Sequence, residues 1–359
     1  MDPTPCFVSS SQSGGDSSYG RSPESVSLRR VESSWREQGL SRSARDILNN
    51  SWKSSTKAQY KPYIKKWEVF CTHREISIMS PSVSDVINFL AMLYDTGIGY
   101  SAIGTARSAL STFLLIDGRP AGEHKLVCRF MKGVFASRPA LPRYQVTWDV
   151  SLVLNYLKGL HPPSSLSLKD LSLKLITLFA LLAGQRHQTL SVLNVINMSI
   201  SADYAKFRIA DILKTTRPNH HVAEIVFPAY DKDERLCPVK YLIQYLKLTR
   251  DIRLSEKKLF ISYISPHKAI GTGTISRWIK MVLSNSGIDL SIFSPHSTRA
   301  ASASKAVDKV QLGTILRTVG WSSEKTFARF YKKPIISEGV FARAVLDQGL
   351  AFILGRFAL

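Results

Sequence analysis

The run His296-Ser-Thr-Arg299 is followed by Trp321 and by Tyr331, and Tyr331 stands among basic residues in Phe-Ala-Arg-Phe-Tyr-Lys-Lys-Pro. A tyrosine hydroxyl can attack a phosphodiester, and the phosphotyrosine product conserves the bond energy for religation. An arginine can stabilise the negative charge of the transition state, and a histidine can accept the proton of the tyrosine. Because a His-x-x-Arg pair is common by chance, this hypothesis depends on the residues that accompany it.

Cleavage of a DNA strand without a metal ion also requires a second guanidinium and an acid that protonates the departing 5′-hydroxyl. Arg186 follows a strongly apolar segment, and Lys214 lies in a polar turn between two strand-like runs. We therefore predict that Arg186 and Arg299 hold the phosphate and that Lys214 is the acid. His296 would accept the proton and Tyr331 would be the nucleophile, with no cofactor and no metal ion.

Each of these residues also has a simpler structural interpretation. Arg186 could satisfy the terminal carbonyls of the preceding helix, Trp321 could be an ordinary core residue, and Tyr331 could be an interface aromatic. Lys206 competes with Lys214 as the acid, and the turn position favours Lys214. Lys214 could also be an ordinary exposed turn lysine, and His296 could be a helix-start residue bonded to the backbone. These alternatives together require five coincidences, which favours the chemical interpretation.

The charge of the chain predicts a polyanionic partner. The 359 residues carry a formal net charge of +21, and 44% of them are hydrophobic, which suits about two domains with buried cores. Residues 1–50 hold six basic and six acidic side chains, so the whole positive excess lies in residues 51–359. A folded basic surface of this size is typical of proteins that bind DNA or RNA, and a merely soluble basic protein is the alternative.

The sequence predicts neither secretion nor a membrane span. It has no apolar signal-peptide core at its start, and no apolar run approaches the length of about 18 residues that a spanning helix needs. We expect an intracellular protein, located in the nucleus.

Neither the cysteines nor the remaining histidines predict a metal site. The cysteines are far apart and form no C-x-x-C pair, which indicates buried thiols in a reducing compartment: Cys6, Cys71, Cys128 and Cys237. Three histidines have no carboxylate or thiolate partner nearby in the sequence, which favours surface or DNA-contacting positions: His187, His220 and His221.

The pattern of apolar residues predicts a helical domain followed by a mixed domain. Residues 1–48 form a Ser-rich stretch that we expect to be a disordered tail. Residues 49–137 predict four short helices with basic outer faces, a DNA-binding module that grips phosphates. Residues 138–145, with two prolines, are the predicted linker.

The second predicted domain, residues 146–336, contains both helices and a small antiparallel β-sheet. An apolar helix over 171–183 ends before Gly184, and strand-like runs cover 206–212 and 222–227. Further helices are predicted at 239–248, 275–283, 296–306 and 312–319, the last ending at Gly320. Residues 337–359 form a terminal helix, expected to pack either on a neighbouring protomer or on the chain's own core.

The order and context of these residues resemble the tyrosine recombinases, over roughly residues 50–345. Three segments are similar in sequence to the recombinases of DIRS-type retrotransposons: Leu213-Lys-Thr-Thr-Arg-Pro218, Pro295-His-Ser-Thr-Arg-Ala-Ala301 and Gly320-Trp-Ser-Ser-Glu-Lys-Thr-Phe-Ala-Arg-Phe-Tyr-Lys-Lys-Pro334. The resemblance implies catalytic roles for six residues: Arg186, Lys214, His296, Arg299, Trp321 and the nucleophile Tyr331.

Trp321 stands where many members of the family have a second histidine, and its indole N–H can only donate a hydrogen bond. The chain departs from the family at Thr189, where many members carry an acidic residue. Gln188 or the Thr189 hydroxyl would have to replace that carboxylate.

The resemblance also implies a fold and an activity. The expected fold is mainly α with a small antiparallel β-sheet, in which a helical core-binding domain and a catalytic domain form a C-shaped clamp on double-stranded DNA. The expected activity is cleavage and rejoining of DNA strands in the recombination of a mobile element, by protomers that assemble on DNA as a tetramer. Two alternatives stay open, a non-cutting DNA-binding protein of the same fold and relaxation of the type IB topoisomerase kind.

Overall fold

The computed structural model describes residues 32–33, 35–141, 144–307, 309–321, 323–330 and 333 of the chain. The chain divides into two compact units, Met1–Leu141 and Pro142–Leu359, which we call unit 1 and unit 2. Both units are mainly helical, and each contains a small antiparallel β-sheet. The predicted fold class, mainly α with a small antiparallel sheet, is therefore confirmed.

Unit 1 is built from short helices around an aromatic centre. From residue 42 onwards its helices are α1 (Arg42–Asn50), α2 (Ser54–His73), α3 (Val83–Asp95), α4 (Tyr100–Leu110) and α5 (Lys125–Ser137). The Trp67 ring of α2 stacks on Phe70 with ring centroids 5.7 Å apart, and it meets Phe89 of α3 edge-on at 5.2 Å. These buried rings contribute dispersion and apolar burial that hold the helices together.

The opposite face of α2 is basic. Lys61, Lys65 and Lys66 are exposed, while Ile64 and Trp67 on the other face are buried. This division follows from the helical repeat, because residues three or four apart share a face. The predicted basic outer face of this helix is therefore present, and it has the charge needed to contact phosphates.

Helix α4 ends at Leu110, although apolar residues at helical spacing continue to Phe113. Strands β1 (Leu115–Ile116) and β2 (Arg119–Pro120) follow and pair as a hairpin. Its turn is Asp117-Gly118, and both residues have positive φ (52° and 73°). Such a turn matches the twist of the two strands, and Asp-Gly is a frequent sequence for it.

Helix α1 corrects the predicted tail. The prediction of disorder covered residues 1–48, whereas the chain is helical from Arg42. Ser41 caps the helix, since its hydroxyl accepts a hydrogen bond from the Ala44 N–H at 3.2 Å. Just outside the helix, Trp35 and Trp52 pack against each other and against the core of unit 1, and this burial offsets the entropy of ordering the segment. The predicted tail over residues 1–31 lies outside the described residues.

Unit 2 surrounds one buried helix. Its helices are α6 (Val150–Gly159), α7 (Leu168–Ala183), α8 (His187–Ser191), α9 (Pro238–Thr249), α10 (Thr272–Asn285), α11 (Thr298–Ala306), α12 (Leu312–Val319) and α13 (Glu324–Phe330). In α7, every residue from Leu171 to Ala183 is buried except Leu182. A helix that is apolar on all sides belongs at the centre of a domain.

A three-stranded antiparallel sheet covers one side of α7. Strands β3 (Met198–Ile200), β4 (Tyr204–Arg208) and β5 (Glu224–Pro228) pair in the order β3-β4-β5. Phe207 and Phe227 point from the sheet into the core, where Phe179 of α7 stacks on Phe227 with ring centroids 3.8 Å apart. The predicted runs at 206–212 and 222–227 correspond to β4 and β5, and β3 was not predicted.

A helix that crosses a bilayer must be both long and apolar. None of the helices within the described ranges is both long and apolar enough to cross a bilayer.

Candidate active site

Four segments of unit 2 meet at one place, which we call the candidate site: residues 184–189, 209–223, 295–299 and 318–321. They carry all the predicted site residues except Tyr331. Each segment contacts at least two of the others.

The segment 184–189 begins at a turn that lets the chain leave α7. Gly184 has φ +57°, and its N–H donates to the Ala180 carbonyl at 3.1 Å, so it ends the helix in the left-handed conformation. A Cβ placed on Gly184 would lie 2.9 Å from Val319 Cγ2, so only glycine fits here without displacement. The Gln185 amide donates to the Thr318 carbonyl at 2.5 Å. These contacts join the Arg186 segment to the end of α12.

Arg186 itself is half-buried and precedes α8, where it is the N-cap residue. The apolar helix α7 therefore ends before Arg186 is reached. Arg186 lies two positions after Gly184, the C-cap of α7, so it joins the end of α7 to the start of α8.

The segment 209–223 is the loop between β4 and β5, and it carries Lys214. Gln188 Oε1 accepts a hydrogen bond from the Lys214 backbone N–H at 2.9 Å, which joins the loop to α8. The Lys214 side chain is exposed. The competing candidate, Lys206, lies within β4 and forms a cross-strand ion pair with Glu224 at 3.6 Å. Lys206 therefore lies on the sheet, whereas Lys214 lies in the loop that meets α8.

The segment 295–299 is a 3₁₀ turn, Pro295–Ser297, that continues into α11. The buried Ser297 hydroxyl accepts a hydrogen bond from the Trp148 indole N–H at 2.8 Å and donates to the Ser294 carbonyl at 2.7 Å. The helix predicted from His296 therefore begins at Thr298, after the 3₁₀ turn. Because the turn is held by side chains from the core of unit 2, the position of His296 is set by tertiary contacts.

Arg299 is fully buried beneath this turn. Its Nη2 donates to the Val319 carbonyl at 3.1 Å, and its guanidinium carbon lies 5.3 Å from the centre of the Trp321 ring. Trp321 is buried in a small apolar cluster with Ile315, Val319 and Phe327. Gly320 between them has φ +71° and ends α12 as predicted. Trp321 is therefore a core residue of this cluster that also contacts Arg299, and its role as a hydrogen-bond donor in catalysis stays a prediction.

The electrostatic environment of His296 is cationic. Its pKa is lowered from 6.5 to about 4, first because the surrounding protein removes water from the imidazole, and then because of the charges of Arg299, His187, Arg186 and Lys214. Part of the side chain is nevertheless exposed to solvent. The imidazole is therefore neutral near pH 7 and able to accept a proton.

His187, predicted as a surface or DNA-contacting residue, lies within the candidate site. It is half-buried, its imidazole donates to the Pro295 carbonyl, and its ring lies 6.5 Å from the His296 ring. Burial lowers its pKa, and Arg299 lowers it further. The sequence held no local signal for this contact, because Pro295 is distant along the chain.

Thr189 occupies the position where the resemblance led us to expect a carboxylate. It is buried, and its hydroxyl donates to Gln185 Oε1 at 3.4 Å. Of the two replacements considered for the carboxylate, Gln188 contacts the Lys214 backbone and Thr189 contacts Gln185. The first of these contacts reaches a predicted site residue directly.

Tyr331 and the predicted terminal helix over 337–359 lie outside the described residues. The nearest described residue after Tyr331 is Lys333, whose backbone N–H donates to the Ser304 hydroxyl of α11 at 3.1 Å. Its ammonium donates to the Tyr144 carbonyl at 2.5 Å. On the other side, Phe327 of α13 is buried against Trp321 with ring centroids 5.2 Å apart.

The arrangement can bind an anion. Arg186, Lys214 and Arg299 all act electrostatically on the same imidazole, His296, so their charges converge on one region. A phosphate there would be stabilised by charge-assisted hydrogen bonds from guanidinium and ammonium groups. Within the described part of the chain, no group of three or more His, Cys, Asp or Glu side chains is placed to hold a metal ion.

Comparison with known proteins identifies the fold. No protein-family model matches the sequence, and no curated protein matches it. Solved structures do match. The XerH site-specific recombinase bound to difH substrate, in a pre-cleavage complex, is 13% identical over 89% of this chain and 93% of that chain, with a TM-score of 0.57.

Two further structures are similar over most of their length. The Tn1549 transposon integrase in complex with transposon right end DNA is 15% identical over 90% of this chain and 99% of that chain, with a TM-score of 0.53. A lambda integrase dimer bound to a COC′ core site is 15% identical over 86% and 94%, with a TM-score of 0.50. The chain therefore has the fold of the tyrosine recombinases and integrases, as the sequence predicted.

Proposed function

We propose that the protein cleaves and rejoins DNA strands through a 3′-phosphotyrosine intermediate. The observation that carries this proposal is the contact of four distant segments, which places Arg186, Lys214 and Arg299 within electrostatic reach of His296. The fold shared with the XerH recombinase and with two integrases supports the same activity. The six residues of the sequence pattern are the proposed catalytic residues.

In the proposed reaction the Tyr331 oxygen attacks the scissile phosphorus while the bond to the 5′-oxygen breaks. His296, neutral near pH 7, accepts the tyrosine proton, and Lys214 donates a proton to the departing 5′-oxygen. The products are a 3′-phosphotyrosine and a free 5′-hydroxyl, so neither water nor a high-energy cofactor is consumed. The reverse reaction, with another strand's 5′-hydroxyl as nucleophile, rejoins the DNA.

The two arginines would stabilise the charge of the transition state. Arg186 and Arg299 would each donate hydrogen bonds to nonbridging oxygens, and the Trp321 indole N–H would donate one more. Arg299 is fully buried, so it would hold the phosphate from beneath the turn 295–297.

We further propose that the reaction serves the recombination of a mobile element in the nucleus, by protomers that assemble as a tetramer on double-stranded DNA. The Tn1549 integrase is bound to transposon end DNA, and the lambda integrase is a dimer on its core site. The sequence resemblance to DIRS-type recombinases supports a retrotransposon as the element. The exposed lysines of α2 would contact the phosphates of the duplex.

Covalent trapping tests the proposal. The protein would be incubated with a pool of nicked suicide duplexes of randomised sequence, and adducts would be recovered in denaturant and sequenced. We expect a covalent adduct that resists EDTA, is lost in Tyr331→Phe and persists in the matched control Tyr230→Phe, whose side chain is exposed. An adduct retained in Tyr331→Phe would exclude Tyr331 as the nucleophile.

The same protein and duplexes distinguish recombination from the two alternative functions, non-cutting DNA binding and type IB relaxation. A wild-type protein that binds duplexes but forms no adduct with any member of the pool would be the non-cutting DNA-binding protein. Where adducts form, exchange of strands between two labelled duplexes indicates recombination, whereas relaxation of a supercoiled plasmid without exchange indicates a type IB activity.

A further inference from the structure

We propose that Gln188 and His221 are positioning residues that hold Lys214 at the leaving 5′-oxygen. This inference rests on the proposed function, since it concerns how the acid of that reaction is placed. Neither residue would touch the DNA. Both would act through the backbone of the loop 209–223.

The first contact joins Lys214 to the arginine segment. Gln188 belongs to α8, which begins directly after Arg186, and its Oε1 accepts the Lys214 backbone N–H at 2.9 Å. The acid and one arm of the phosphate clamp are therefore fixed to the same short helix. A backbone hydrogen bond of this length restricts the Cα of Lys214 while its side chain stays exposed.

The second contact closes the loop upon itself. Thr216 Oγ1 accepts a hydrogen bond from the Leu213 N–H at 3.0 Å, and it lies 2.9 Å from His221 Nδ1. His221 Nε2 lies 2.9 Å from the Ile209 carbonyl, so it carries a proton and donates. In the neutral imidazole, Nδ1 then accepts the Thr216 hydroxyl proton. The His221 side chain thus links Ile209, at the start of the loop, to Thr216. Thr216 in turn bonds to Leu213, the residue before Lys214.

The need for such contacts follows from the length of the loop and the geometry of proton transfer. Lys214 lies in a long loop between β4, which ends at Arg208, and β5, which starts at Glu224. A general acid must approach the oxygen to within hydrogen-bond distance, and a displacement of about 1 Å can slow a reaction by about 100-fold. An unrestrained loop would place the Lys214 ammonium there only part of the time. The contacts of Gln188 and His221 reduce that freedom before DNA binds.

The test uses the requirement for a proton. A duplex in which the 5′-bridging oxygen of the trapped site is replaced by sulfur has a leaving group that needs no protonation. Any defect confined to the acid should then disappear, whereas a defect in the phosphate clamp or in folding should remain. Single-turnover cleavage rates of the oxygen and sulfur duplexes would be compared for each variant of the full chain.

We expect Gln188→Met to slow cleavage of the oxygen duplex by about 10–100-fold and to cleave the sulfur duplex within a few-fold of wild type. His221→Phe, which keeps a ring but removes both nitrogens, should show the same pattern, as should the reference variant Lys214→Ala. Gln244→Met is the matched control, because Gln244 is a similarly half-buried glutamine that belongs to α9 and to none of the four segments of the candidate site. It should cleave both duplexes at the wild-type rate.

Each outcome bears on one of the two proposals. If wild-type protein forms no adduct with either duplex, the proposed function fails. If wild type cleaves both but Gln188→Met is equally slow on both, or as fast as wild type on both, the positioning role is wrong and the proposed function stands. A Lys214→Ala defect that sulfur does not repair would also overturn the inference. A variant that fails to fold is recognised because it cleaves neither duplex and no longer binds them.

Discussion

Replacing Gly184 by alanine should destabilise unit 2 and disturb the candidate site, for two separable reasons. The first is the backbone, because Gly184 has φ +57°. A residue with a Cβ is disfavoured by about 1–2 kcal/mol in this left-handed region. The second is space, because the new Cβ would lie 2.9 Å from Val319 Cγ2 and 3.5 Å from Val319 Cγ1.

Val319 has little freedom to withdraw. It is buried, its side chain is β-branched, and its carbonyl accepts the hydrogen bond from Arg299. Overpacking of this kind costs about 1–3 kcal/mol. We therefore expect Gly184→Ala to lower the free energy of unfolding of unit 2 by about 2–5 kcal/mol in total.

A double-mutant cycle separates the two terms. Val319→Ala removes the methyl groups that the new Cβ meets, so Gly184→Ala in that background should cost only the backbone term, about 1–2 kcal/mol. The coupling energy between the two positions should be about 1–3 kcal/mol. Gly287→Ala is the control for the backbone term alone, because Gly287 has φ +77° and a Cβ added there would meet no atom within 4 Å.

Hydrogen exchange of α7 peptides over a urea series would report the stability of unit 2 separately from that of unit 1. The same variants would be assayed for adduct formation, where displacement of Val319 should reduce the rate by moving Arg299. A coupling energy near zero would refute the steric argument. A Gly287→Ala cost equal to that of Gly184→Ala would refute the claim that the Val319 contact adds to the backbone term.

Three further predictions concern Lys174, His296 and Trp148. Lys174 is fully buried and donates to two backbone carbonyls, and burial lowers its pKa from 10.5 to about 7. The unfolded chain then binds more protons between these pH values, so the free energy of unfolding of unit 2 should rise with pH from 7 to 10.5. In Lys174→Met this rise should be absent from the same exchange measurement. The His296 imidazole, followed by NMR in protein without DNA, should titrate near pH 4. A bound duplex should raise this pKa, because the phosphate offsets the charges of the neighbouring cations. A titration midpoint near 6.5 without DNA would contradict the cationic environment. Trp148→Phe removes the indole N–H that donates to Ser297, so it should destabilise unit 2 by about 1 kcal/mol and slow adduct formation. An unchanged stability and an unchanged rate of adduct formation would show that this hydrogen bond does not hold the His296 turn.

Elements with strong local signals were predicted well from the sequence. Helix α12 runs over Leu312–Val319, as predicted, because its apolar face repeats at the helical period and Gly320 ends it in the left-handed conformation. The buried helix α7 was predicted for the same reason, since a long apolar segment followed by glycine leaves few alternatives. The order of the candidate catalytic residues, from Arg186 to Tyr331, could likewise be read from the sequence alone.

Local signals misled where tertiary packing decides which apolar residues are covered. Leu126 and Phe135 stand at helical spacing among the apolar residues of α5, yet 50% and 43% of their surfaces are exposed. The core is instead contacted by Val127, Met131 and Val134 of that helix. Periodicity identifies a helix, but which of two adjacent stripes faces inward depends on the neighbouring helices.

The contacts that assemble the candidate site could not be predicted. Gln185 bonds to Thr318 across 133 positions, and Gln188 bonds to Lys214 across 26. Hydrogen bonds of this kind leave no periodic trace in a sequence, because any polar side chain can serve and its partner is a backbone group that every residue carries. The sequence by itself determined which residue types are available for phosphodiester chemistry and on which elements they lie. The tertiary structure decided that His187 packs beside His296, that Arg299 is buried under Val319, and that Gln188 holds the loop of Lys214, since each depends on surfaces that come together only when α7, α8, α11 and α12 pack.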